Sequence, residues 1–128
     1  MTITHIKTEA APSAIGSYSQ AVCFENIIYL SGQIPIIPET NQILAKDFKE
    51  QVKQIFSNLQ QVALAGNSRL ENCLKLTIFL ADMGNFSTVN AVMREIFSEP
   101  FPARAVVEVS TLPKGVEVEI DAIIAVTK

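Results

Sequence analysis

Arg104 stands in "FPARAVVEV", residues 101–109, among Phe, Ala and Val where a strand is expected to be covered. A guanidinium keeps its charge at ordinary pH, and leaving it unpaired away from water costs several kcal/mol or more. A negative group must meet it. One candidate is internal: Glu119, in "VEVEIDAIIAV", if the two strands pair. The other is a ligand, because the planar fork of arginine suits bidentate recognition of a small acid's carboxylate. The two readings are compatible, since Glu119 can sit beside Arg104 and be aimed at a water.

Other residues carry weaker signals. Ser31-Gly32-Gln33 ends an apolar run, and Pro35 and Pro38 bar a regular continuation of the strand. Glycine at such a point allows close backbone approach. Tyr18 lies in a loop entering a strand, and Asn90 sits mid-helix among apolar neighbours, where an inward amide needs hydrogen-bond partners. The only histidine is His5, so neither a histidine-rich zinc site nor a Ser-His-Asp triad is expected. Cys23 and Cys73 are far apart, lack a CxxC spacing, and read as buried reduced thiols.

The elements that must position these side chains follow from hydrophobic spacing. Residues 46–66 place Phe48, Val52, Ile55, Phe56, Leu59, Val62 and Ala63 on one helical stripe. Asp47 and Glu50 resemble a capping box, and Gly66-Asn67 gives a left-handed stop. Residues 85–100 repeat the pattern with Phe86, Val89, Val92, Met93, Ile96 and Phe97, Asn85 capping the start and Pro100 following the end. Strands are expected over 2–7, 19–24, 27–31, 72–81, 103–109 and 116–126. Glu25-Asn26 makes a tight turn, and "TLPKG" joins the last two strands as a hairpin. The order β, β, β, α, β, α, β, β gives an α+β sheet with two helices on one face.

In the last strand Val116, Val118, Ile120, Ala122 and Ile124 face the helices, and Glu117, Glu119, Asp121, Ile123 and Ala125 face away. Pairing through the hairpin would put Arg104 and the acidic row on the same helix-free face. Half polar and half apolar, that face suits a subunit interface containing a cleft.

The chain has 128 residues, a single-domain length, with 48% hydrophobic and only 18% charged residues against about 25% in an average soluble domain. So few charges imply that surface is hidden against other copies. The net charge of −3 and the scatter of the ten Lys and Arg argue against nucleic acid as partner. No apolar run approaches the roughly 18 residues of a membrane span. The N-terminal stretch lacks the basic start and apolar core of a signal peptide, so a cytoplasmic location is expected.

Taken together and in order, "APSAIGSYSQ" (11–20), "SGQIP" (31–35), "TVN" (88–90), "FPAR" (101–104) and "LPKGVEVEIDAIIA" (112–125) closely resemble the Rid family of reactive intermediate deaminases, also called the YjgF family. The resemblance spans essentially the whole chain. It implies a chorismate-mutase-like α+β fold with a mixed sheet of about six strands, and a homotrimer with three sites between subunits. The activity it implies is hydrolysis of enamines and imines, such as 2-aminoacrylate formed by pyridoxal-phosphate enzymes, to 2-keto acids and ammonia. No cofactor and no metal are implied. Carried over by motif, Arg104 clamps the substrate carboxylate and Glu119 orients or activates water. Tyr18, Ser31, Gly32 and Asn90 line the pocket, and backbone groups of Ala105 and Val106 add hydrogen bonds.

Three positions depart from the family pattern. Ser17 stands where proline is frequent, Val106 where some members carry cysteine, and the segment between Asn90 and Arg104 is short. A non-enzymatic trimer that binds small keto or amino acids is the alternative reading. Endoribonuclease activity, an older label in the family, fits poorly with an acidic chain that has no basic patch.

Overall fold

A computed structural model describes residues 2–127. Six strands form one sheet: β1 (Thr4–Ile6), β2 (Ala21–Phe24), β3 (Ile27–Gln33), β6 (Cys73–Leu80), β7 (Ala103–Glu108) and β8 (Val118–Ala125). Between β3 and the first helix lies a small ribbon of β4 (Ile36–Ile37) and β5 (Gln42–Ile43). Helices α1 (Phe48–Ala65) and α2 (Phe86–Ile96) complete the chain. The sheet order is β1-β2-β3-β8-β6-β7, antiparallel throughout except for the parallel β6–β7 pair. The α+β class, the mixed six-stranded sheet and the two helices agree with the expectation from sequence.

The core is built from the two periodicities. From α1, Val52, Ile55, Phe56, Leu59, Val62 and Ala63 are buried, as the helical stripe requires. Along β8, buried and half-buried residues alternate without a break from Val118 to Ala125. Leu76, Ile78 and Leu80 of β6 are fully buried on the same face. Asp47 is the N-cap of α1, its carboxylate accepting from the Glu50 amide at 3.0 Å. At the other end Asn67, not Gly66, takes the left-handed conformation, with φ of 62°. Gly66 serves packing, because a Cβ there would press on Ile6 and Ile28. Glu25 and Asn26, both at positive φ, make the expected tight turn between β2 and β3. Asn85 precedes α2 without a side-chain cap.

One pairing differs from the expectation. β7 and β8 are not a hairpin; β6 lies between them, parallel to β7 and antiparallel to β8. The connection β6–α2–β7 is therefore a crossover that lays α2 over the sheet. It leaves β7 at an edge, its outer side without a strand partner among the described residues.

Candidate functional site

The crossover decides where Arg104 points. Arg104 pairs with Leu76, whose side chain is buried beneath the helices, so Arg104 lies on the helix-bearing side of the sheet. Its guanidinium packs over the Phe86 ring at 5.2 Å and donates to the Met93 sulfur at 3.3 Å. Both partners belong to α2. Glu119 pairs with Phe79 and projects from the opposite face, next to Asp121. The expected cross-strand pair of Arg104 with Glu119 is thus absent, as is the expected placement of both on the helix-free face. Arg104 is also exposed, not covered by its own chain.

The residues named from sequence collect into two separate cavities. The first, about 450 Å³, is lined by Tyr18, Ser31, Gly32 and Glu119, together with Lys114 and Ile36. It owes its shape to a bulge in β3. Pairing with β8 runs regularly to Leu30 and Ala122, then shifts, resuming at Gln33 and Ile120. Ser31 and Gly32 fall in the irregular stretch. The Ser31 hydroxyl donates to the Ser19 carbonyl at 2.6 Å, and its amide donates to the Gln20 carbonyl at 3.0 Å. The absence of a side chain at Gly32 lets Glu119 hold this position, because a Cβ at residue 32 would displace that carboxylate.

The outer wall is the loop carrying Tyr18, whose hydroxyl accepts from the Ile15 amide at 3.3 Å. Gln20 anchors that loop. Its buried amide accepts from Thr8 N at 2.7 Å and donates to the Thr8 carbonyl at 3.0 Å and the Pro12 carbonyl at 2.7 Å. At the floor, Asn58 of α1 donates to the Ile36 carbonyl at 2.9 Å and so ties the β4–β5 ribbon to the helix layer.

The electrostatics of this cavity suit proton transfer. Burial pushes the Glu119 carboxyl above its ordinary value, and the neighbouring Asp121 charge adds to the rise. Asp121 is also raised by burial, against the opposing pull of its hydrogen bonds from Thr77 and of Lys75. A carboxyl held high in this way takes and returns a proton nearer neutrality than a free one. Cys73 is only partly buried, and burial pushes its thiol up to about 11, so it is no thiolate nucleophile at neutral pH.

The second cavity, about 310 Å³, is lined by Asn90, Met93, Arg94, Phe101, Pro102 and Arg104. Asn90 and Arg94 are one turn apart on the α2 face that also carries Phe86 and Met93. Ala105 and Val106 line neither cavity. Ala105 pairs with Thr77 on the helix-free side, and Val106 packs half-buried against the core, so each can offer a ligand only its backbone. Sequence reasoning missed both Lys114 and Arg94, and nothing marks Lys114 in the sequence alone. Arg94 does carry a signal, in its i+4 spacing from Asn90.

Among the described residues no group of three His, Cys, Asp or Glu side chains is placed to hold a metal ion, and no helix is long and apolar enough to cross a membrane.

Residues 8–126 match the family model described as endoribonuclease L-PSP. The chain is 43% identical to the RutC family protein y4sK of Sinorhizobium fredii, over 98% of this chain and 99% of that protein. It is 42% identical to the human protein named 2-iminobutanoate/2-iminopropanoate deaminase, over 92% of this chain and 86% of that one. Among solved structures, yeast Mmf1 superposes with a TM-score of 0.94 at 39% identity, covering 98% of this chain and 100% of the other. Escherichia coli TdcF, solved with bound serine, superposes with a TM-score of 0.90 at 35% identity, over 95% and 98% of the two chains.

Proposed function

Since the chain belongs to the Rid (YjgF) family, we propose that it is a 2-iminobutanoate/2-iminopropanoate deaminase, hydrolysing reactive imines and enamines to 2-keto acids and ammonia. The observation that carries this reading is the division of the candidate residues between two incomplete cavities. One holds an arginine without a carboxylate, the other a raised carboxyl without an arginine. Neither is a deaminase site alone. Brought together by two copies of the chain, they supply an anchor for the substrate's acid group and a proton-transfer group for water. A closed homotrimer in which β7 of each protomer meets the β3 bulge of the next would form three such sites. The exposed apolar residues Phe101 and Val107, on and beside β7, support burial of that edge.

In this arrangement Arg104 clamps the α-carboxylate, seated by Phe86 and Met93 so that little rotamer freedom is lost on binding. An enamine substrate first tautomerises to the imine. Water, oriented by Glu119, then adds to the imine carbon, and Glu119 passes a proton from the water to nitrogen to give a carbinolamine. The hydroxyl proton of that intermediate moves to nitrogen by the same route as the carbon–nitrogen bond breaks, leaving the carbonyl and ammonia. Tyr18, Ser31, the Gly32 backbone and Asn90 border the substrate, and β7 backbone groups at Ala105 and Val106 extend the rim. Arg104 also screens the substrate acid from Glu119. The acidic chain favours a small anionic substrate bound by one site over a polyanionic RNA.

The test is a coupled assay. The protein is added to a serine- or threonine-dehydratase reaction, and keto-acid and ammonia release are followed with Arg104→Ala and Glu119→Ala as controls. Accelerated release by the wild type and loss in both variants support the reading. Full activity in Glu119→Ala removes Glu119 from it. Absence of acceleration, with retained binding of a keto acid, favours a non-enzymatic small-molecule binder.

A further inference from the structure

Two guanidinium groups, of Arg94 and Arg104, line the 310 Å³ cavity, and no carboxylate shares its wall. Neither arginine forms an ion pair among the described residues. Glu95, the residue after Arg94, faces Lys49 and Lys53. The groups that seat Arg104, the Phe86 ring and the Met93 sulfur, are neutral and leave its charge uncompensated. Met93, Phe101 and Pro102 make the rest of the wall largely apolar, with Asn90 the one uncharged polar side chain. Two like charges converging on such a pocket repel each other, and a ligand with two negative groups relieves both.

We propose that this cavity selects 2-imino acids bearing a second carboxylate on the side chain. Arg104 takes the α-carboxylate and Arg94, one turn beyond Asn90, takes the distal one. The proposal rests on the deaminase reading and adds a substrate class to it. The reaction stays hydrolytic: water adds to the imine carbon, the carbon–nitrogen bond breaks, ammonia departs, and a 2-oxo dicarboxylate remains. No oxidant or reductant is needed.

The test compares imines generated in the assay from L-glutamate and L-glutamine by an amino-acid oxidase, which have the same chain length and differ by one charge. The wild type is expected to show kcat/KM about tenfold higher for 2-iminoglutarate, the effect of one charge-assisted contact. Arg94→Gln should abolish the preference and Arg94→Lys should retain part of it. Were Arg94 only to support the last turn of α2, its loss would lower both rates alike. Equal kcat/KM for the two imines in the wild type overturns the proposal while leaving the deaminase reading intact. If no imine is hydrolysed faster than in buffer, the deaminase reading fails, and calorimetric titration with 2-oxoglutarate and 2-oxobutanoate decides the selectivity. Tighter binding of the dicarboxylate that vanishes in Arg94→Gln supports the proposal; equal binding, or none, overturns it.

Discussion

Gly32 and Glu119 occupy adjoining space at the β3 bulge, where the carboxylate fills the volume that a side chain at residue 32 would take. Gly32→Ala must therefore push Glu119 aside. Activity is expected to fall by more than about tenfold with little change in stability, because the displaced atoms end a flexible, half-buried side chain. Steady-state kinetics and urea unfolding check both. Undiminished activity would show that the carboxylate has no fixed post to lose.

The proposed division of the site between copies predicts complementation. Arg104→Ala and Glu119→Ala are each expected to be inactive alone. After co-refolding at equal amounts, a ring with each site shared by neighbours regains intact sites with a probability of about one quarter. Recovery near that fraction supports the shared site. No recovery from mixed trimers, verified by mass spectrometry, places both groups in one chain.

Arg104→Lys keeps the charge and loses the planar fork and the stacking on Phe86. The expected fall in kcat/KM is about ten- to a hundredfold, the range for charge-assisted hydrogen bonds. A value near that of the wild type would mean that a point charge is sufficient.

The raised Glu119 carboxyl makes a pH-dependent stability prediction. Its folded pKa lies above the ordinary 4.5, so the stability it contributes is present below that value and is lost as pH rises through the folded pKa. Glu119→Gln should match the wild type's Tm near pH 4 and exceed it at pH 7–8, while activity is lost. Asp121 is shifted in the same direction. A variant less stable than the wild type at pH 8 contradicts this assignment.

Gln20 satisfies donors and acceptors of the loop that walls the first cavity. Gln20→Ala strands Thr8 N and the Pro12 carbonyl, at an expected cost of about 1–3 kcal/mol. Because the loop also presents Tyr18, KM should rise more than kcat falls. Denaturant midpoints and substrate titration measure the two effects separately.

Local chemistry made much of the fold legible. Strict alternation in β8, the apolar stripe of α1, the Asp47 cap and the Glu25-Asn26 turn each follow from neighbours in the chain. Strand order did not follow in this way. The short turn before β8 suggests a hairpin, yet β6, from earlier in the chain, inserts between β7 and β8 because it can bury Leu76, Ile78 and Leu80 there. That long-range gain leaves no mark on the turn itself. The side of Arg104 was lost with it, since the parallel register sets Arg104 beside Leu76. The residues that the family motifs name fall into two cavities of the chain, with Ala105 and Val106 in neither, a division that short motifs carry no mark of.

The free margin of β7 has one more consequence. Amides and carbonyls without a strand partner among the described residues, on an extended segment bearing Val107, can add a passing strand of similar shape. If the proposed trimer covers this margin, dilution that separates the copies would yield a fibre seed before it yields a well-behaved monomer, and the protein's shelf life in solution should lengthen as its concentration rises.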